Sequence, residues 1–177
     1  RMLMQIKKLL RRFGFDIIRY HSFWDDVARP RGIKTILDIG AHAGESAQEM
    51  RQRFPEAMII SFEPIYSLFK RLETSMEGDS RFCAYNVAQG EKNGEAVIHL
   101  SSSTPSSSLL PMATLHKRLY PDSAESTDET IRVERLDDIL SGTQLEKPML
   151  VKIDVQGFEA DVIRGGAETL GQADIIV

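Results

Sequence analysis

The chain has 177 residues, 42% of them hydrophobic and 27% charged, which is enough for one buried core and points to a single globular domain. No run of roughly 18 apolar residues is present to span a bilayer, and the N-terminal stretch lacks the apolar run and small-residue cleavage site of a secretory signal. The single cysteine, Cys83, cannot close an internal disulfide, so a reducing, cytoplasmic setting is expected.

The net charge of −4 is unevenly spread: residues 1–34 hold nine Lys/Arg and three Asp/Glu, a local +6 that leaves −10 on the remainder. Within that basic end, Met2, Leu3, Ile6, Leu9, Leu10 and Phe13 recur at helical spacing, with Lys7, Lys8, Arg11 and Arg12 mostly between them. The pattern predicts a basic amphipathic helix. Such a face can attach to an anionic membrane surface, but packing on a core is the commoner use. The acidic body, with a pI of 5.6, argues against nucleic acid as a partner. Residues 1–33 are therefore read as a helix and linker ahead of a domain over residues 34–177.

In chain order, the first strand is predicted at Thr35–Ile39, followed by a helix from Glu45 to Arg53, a strand at Met58–Phe62 and a helix from Ile65 to Met76. This alternation predicts a parallel sheet with covering helices. A third strand at Arg81–Val87 leads through an Asn93-Gly94 turn to the β-rich run Ala96–Leu100, as in an excursion or hairpin. The serine-rich segment from Ser101 opens a long irregular stretch to Thr130, a plain linker by composition but more often an active-site lid at such length. Regular structure is expected to return at Ile131–Arg135, with a short helix at Leu136–Leu140, a buried strand at Met149–Asp154, a helix from Glu159 to Leu170 and a strand at Asp174–Val177. Ending on an apolar strand predicts a sheet truncated after its fifth strand.

The strongest local signal is ILDIGAHAGES, Ile36–Ser46, a strand running into a glycine turn at the head of a helix. Gly40 permits a sharp turn close to a ligand, and Gly44 removes a Cβ where helix and strand must pack. The spacing G-x-x-x-G differs from the dinucleotide fingerprint, and Asp38, two residues before Gly40, would repel a pyrophosphate while suiting a ligand with an ammonium group. S-Adenosylmethionine is favoured over a dinucleotide on that ground; Ala41, His42 and Ser46 complete the turn's candidate contacts. A plain strand-turn-helix with a capping Asp remains the alternative.

Glu63 in SFEP stands at the carboxyl end of the next strand, where an acid can accept both ribose hydroxyls, and Pro64 fixes the backbone beside it. As a helix cap, Glu63 would need no ligand. Asn86 and Ala88 in YNVAQG occupy the place where an adenine edge would be read, though Asn is also common in turns. In LVKIDVQGFE, Asp154 is the candidate base or acceptor-orienting group at the strand tip, Lys152 is expected to be partly buried with its ammonium at an edge or paired to an acid, and Glu159 fits a helix-dipole residue. His116, in the expected lid, is a second candidate base. Asp154 and Glu159, without a third ligand, do not make a metal site.

Taken in order, LDIGAHAGES, SFEP, YNVAQGEKNG, SSSLL, VERLDDIL and VKIDVQGFEADVIRGGAETL resemble the FkbM family of methyltransferases, over Thr35–Val177. The resemblance implies a Rossmann-like class I α/β fold with a mostly parallel sheet and helices on both faces. It also implies S-adenosylmethionine as cofactor and methyl transfer to a hydroxyl on a sugar or other small-molecule acceptor. Gln156 stands where the family often has an acid, and His42 where Asn is common, so neither takes a catalytic role by analogy. The class usually continues past the fifth strand with two more strands and a helix. Two rivals remain on these residues: a nicotinamide-dependent oxidoreductase, opposed by the glycine spacing and Asp38, and a domain that binds the cofactor without catalysis.

Overall fold

The computed structural model describes Ala28, residues 31–101 and residues 126–177, with side chains at 99–101 and 126–127 left aside. The chain separates into two units, Arg1–Gly32 and Ile33–Val177. The N-terminal amphipathic helix and the lid segment with His116 lie outside the described residues.

The second unit is built on β1 (Thr35–Ile39), α1 (Glu45–Arg53), β2 (Met58–Phe62), α2 (Tyr66–Ser75) and β3 (Phe82–Tyr85). After β4 (Ala88–Gln89), β5 (Gly94–Ser101) and β6 (Ser126–Glu134), α3 (Leu136–Ile139) leads to β7 (Met149–Ile153). Helices α4 (Glu159–Gly165) and α5 (Ala167–Leu170) and strand β8 (Ile175–Ile176) follow. The main sheet has the order β3-β2-β1-β7-β8, and every pairing in it is parallel. Apolar residues fill both faces of its central strands, because a parallel strand is covered twice. Leu37, Ile39, Ile60, Phe62 and Val151 pack with Leu136, Val162 and Leu170 of α3, α4 and α5. Ile36, Ile59 and Leu150 alternate to the other face and are fully buried. On that face Gly44, at the head of α1, lies so close to α2 that a Cβ would meet Ser75 Oγ at 2.2 Å.

Two expectations change and one is decided. Of the two forms expected after Asn93-Gly94, the run is an excursion and not a hairpin on β3: β5 pairs antiparallel with β6 in a second sheet of order β4-β6-β5. The Asn93 side chain explains it, since Nδ2 donates to Asp138 and Oδ1 accepts the Arg135 N–H, tying the turn to the start of α3. The stretch expected to be irregular to Thr130 is already strand from Ser126. The helix expected to run unbroken from Glu159 to Leu170 is divided at Gly166 (φ −121°). The Asp137 carboxylate accepts the N–H groups of Glu168 and Thr169 and so starts α5 separately.

One close approach locks the second sheet to the first layer of helices. A Cβ on Gly165 would fall 1.8 Å from the carbonyl oxygen of Gly90, the residue after β4. Backbone cannot yield as a side-chain tip does, so Gly165→Ala is expected to destabilise the fold by about 2 kcal/mol or more. Urea unfolding of that variant at wild-type stability would refute the close packing of β4 on α4.

Candidate functional site

The order of the main sheet places the site. β1 and β7 are neighbours at the point where the strand order of the sheet reverses, and a crevice opens beyond their tips. A cavity of about 300 Å³ lies there. Gly40, His42, Glu63, Pro64, Ala88 and Asp154 all line it. The turn holds its shape through the sheet: the N–H groups of Gly40 and Ala41 donate to Phe62 O, and Asp154 N–H donates to Ile39 O. Gly40 has φ +85°, and a Cβ there would meet Asp154 O at 2.1 Å, so the position demands glycine for close strand approach.

Asp38 stands back from the wall. It is fully buried, accepts a hydrogen bond from the Ser46 hydroxyl, and lies 3.3 Å from Lys152 Nζ. The same ammonium is 3.5 Å from Asp154 Oδ2, whose side chain is 63% exposed. Lys152 is thus partly buried between a hidden acid and an open one. Ala41, Gly44 and Ser46 support the turn from outside the lining, and Gly44 separates two helices rather than helix and strand.

Glu63 is 5% exposed. Its Oε2 accepts the His42 N–H and its Oε1 the Ile65 N–H, both at 2.9 Å. Its Oε1 thus holds Ile65, the residue just ahead of α2, and its remaining lone pairs are what a ligand could use. Burial pushes its carboxyl above the ordinary range, against the two N–H donors that pull the other way. Asn86 spends its Nδ2 on the carbonyls of Glu63 and Pro64, 2.9 and 2.8 Å away. Glu159 takes the Gly157 N–H on both oxygens, at 3.0 and 3.1 Å, and that backbone donor lowers its pKa. Among the described residues no group of three or more His, Cys, Asp or Glu is placed to hold a metal, and no helix is long and apolar enough to cross a membrane.

Sequence reasoning missed Gln89, Gln156 and Phe158, which also line the cavity. His42 and Gln156 are the two non-glycine residues with positive φ among those described, at 53° and 50°. Left-handed backbone at such residues gathers at ligand sites. Gln89 sits inside YNVAQG, but its place on the wall depends on β4 pairing with β6, far along the chain.

An open parallel sheet with a switch-point crevice, an acid at the tip of β2 and another at the tip of β7 defines a Rossmann-like α/β fold of the class I methyltransferase type. The sequence profile of the methyltransferase FkbM domain matches residues 38–177, and the chain belongs to that family. It is 32% identical over 147 residues to 2-O-methyltransferase NoeI of Sinorhizobium fredii, covering 80% of this chain and 60% of that protein. Methyltransferase 1 of Beauveria bassiana is 26% identical, over 73% of this chain and 57% of its own length. Methyltransferase sdnD of Sordaria araneosa is 26% identical, over 90% of this chain and 70% of its own. The chain thus spans about six-tenths of the first two relatives.

The Glu63 geometry yields a stability test. Its raised pKa means the folded state holds that proton more tightly than the unfolded chain. The stability of the neutral form is then lost as pH rises through the raised value. Glu63→Ala removes this titration and leaves two backbone N–H groups unpaired, at a cost of about 2 kcal/mol near neutral pH. In urea unfolding, the advantage of wild type over the variant should grow as pH falls toward about 4.3, the ordinary glutamate value. Equal pH slopes would sink the assignment.

Proposed function

We propose that these residues form the donor-binding domain of a methyltransferase that moves the methyl group of S-adenosylmethionine to a hydroxyl oxygen of a small molecule. The observation that carries this is Glu63: a buried carboxylate on the cavity wall at the tip of β2, in a chain of the FkbM family. A carboxylate there can accept two vicinal hydroxyls, which fits a ribose. The cavity, at about 300 Å³, is at the lower end of the range for small-molecule sites. The name of the relative NoeI, a 2-O-methyltransferase, supports oxygen as the atom methylated. A sugar hydroxyl is the acceptor class we favour.

When bound, the donor supplies an electrophilic methyl on a positively charged sulfur. The chain's own work is alignment and, at most, removal of one proton. Asp154 reaches past the tip of β7 beside β1, with its carboxylate exposed and Lys152 fixing where it sits. We assign it to orient the acceptor hydroxyl and hold its proton on a carboxylate oxygen. Asp38, paired to Lys152 and Ser46, acts from behind the wall by holding the turn that faces the donor's amino-acid end.

S-Adenosylhomocysteine at about 100 times its dissociation constant should stabilise the protein by roughly 2.7 kcal/mol, with no shift from NAD. Equal shifts, or none with either ligand, would end the donor assignment. In the full-length protein, Asp154→Asn should lower turnover by about 10² or more and leave S-adenosylhomocysteine affinity near wild type. A parallel fall in both would show that Asp154 holds the donor instead.

A further inference from the structure

The turn that leaves β7 puts two residues on the cavity wall that the mechanism does not use, Gln156 and Phe158. Gln156 holds left-handed backbone at φ 50°, where glycine or asparagine would sit at less cost. It is exposed, and among the described residues no hydrogen bond reaches its amide. The turn around it is nevertheless fixed. Asp154 N–H donates to Ile39 O, Val155 packs against the main core, and both Glu159 oxygens accept the Gly157 N–H. A pinned turn thus offers an unpaired amide two residues beyond the exposed Asp154 carboxylate, with the half-buried Phe158 next along the chain after Gly157. Backbone strain that local contacts do not repay is kept where a ligand is held.

Resting on the function proposed above, we propose that Gln156 selects the methyl acceptor: its amide holds the hydroxyl next to the one that Asp154 orients, and Phe158 takes the carbon face of the same sugar ring. The acceptor is then a vicinal diol on a ring, and a lone alcohol is a poor substrate. An ionised carboxylate only accepts hydrogen bonds, whereas an amide both donates and accepts, so the two together suit adjacent hydroxyls that play different roles. The face of an aromatic ring is partially negative and attracts the slightly positive C–H groups of a pyranose. Glu63, the other acid on the wall, stands at the tip of β2 with β1 between it and this turn, which leaves it to the donor. A contact between the Gln156 amide and the donor is the competing use, and the experiment separates the two.

The test uses the full-length protein, S-adenosylmethionine with a labelled methyl group, and the methyl pyranosides of glucose, galactose, mannose and fucose as acceptors. Each pyranoside that is methylated is compared with its deoxy analogues lacking one neighbour of the methylated hydroxyl. Wild type should lose roughly tenfold or more in kcat/KM on one such analogue, as for one lost hydrogen bond. Gln156→Gly, which suits the left-handed backbone, should lose a similar factor on the parent sugar, treat parent and analogue alike, and keep wild-type affinity for S-adenosylhomocysteine. Comparing two acceptors within one variant decides the matter even if that variant is less stable. Wild type that is indifferent to the loss of either neighbour, or a variant that keeps the preference, overturns the proposal. A variant whose S-adenosylhomocysteine affinity falls in step with kcat/KM assigns the amide to the donor and overturns it too. If wild type binds S-adenosylhomocysteine but methylates none of the four sugars, the proposal falls and the donor assignment stands. A wild type that binds no S-adenosylhomocysteine overturns the underlying function and this inference with it.

Discussion

The contact between Lys152 and Asp38 across the paired tips of β1 and β7 is the constraint on which the site depends. Asp38 opposes Lys152 in register, and Asp38 is wholly buried. A carboxylate so placed is tolerated only with a partner; removing one member of such a pair typically costs about 3–5 kcal/mol. The Ser46 hydroxyl on its other oxygen ties the same acid to the first turn of α1. The glycine turn is thereby held from the strand on one side and from the helix on the other. β1 and β7 stay paired one residue further, at Ile39 and Ile153, so this pair sits directly behind the strand tips that border the crevice. Lys152 also reaches Asp154, so the hidden acid and the open acid share one ammonium.

Around that frame, the cavity wall gathers features that a fold selected for stability alone would shed. Glu63 is a buried acid whose charge is disfavoured by its surroundings. His42 and Gln156 hold left-handed backbone. Gln89 keeps an amide without partners. Each carries a cost of its own, and they line one cavity. Rigid neighbours make this possible: His42 is pinned because its N–H donates to Glu63, and the Gln89 backbone is pinned by β6 and Gly165.

The sheet was legible from sequence because its strands are short apolar runs punctuated by glycine and by helical spacing, signals that are local. Thr35–Ile39 and Met58–Phe62 are observed as read, and of the two placements expected for the Lys152 ammonium, pairing with an acid is observed. What escaped was non-local. The β5 partner lies on the far side of residues 102–125, and the turn at Asn93 serves α3 instead of a hairpin with β3. The division at Gly166 depends on Asp137, distant in sequence from the helix it caps. At the site, acids at strand tips were visible as types at positions. That Asp38 is spent on Lys152, that Asn86 is spent on backbone and that Gln89 is spent on nothing required coordinates, because availability of a polar group depends on its neighbours.

Charge gives the arrangement a direction. Under the proposed function the donor enters with a sulfonium and leaves as a neutral thioether, having lost one positive charge. The crevice is lined by Glu63, buried, and Asp154, exposed, with the Asp38 charge matched by Lys152 behind. Carboxylates in a partly enclosed cavity attract a cation more strongly than its neutral product, since few water molecules screen them. That preference opposes transfer slightly, because the reactant charge is favoured over the dispersed charge of the transition state. It also weakens the hold on the spent donor. A site built this way keeps only the acids it needs exposed to the cavity, and the lysine that neutralises Asp38 does so on the protein side of the wall, where it adds no repulsion against an arriving cation.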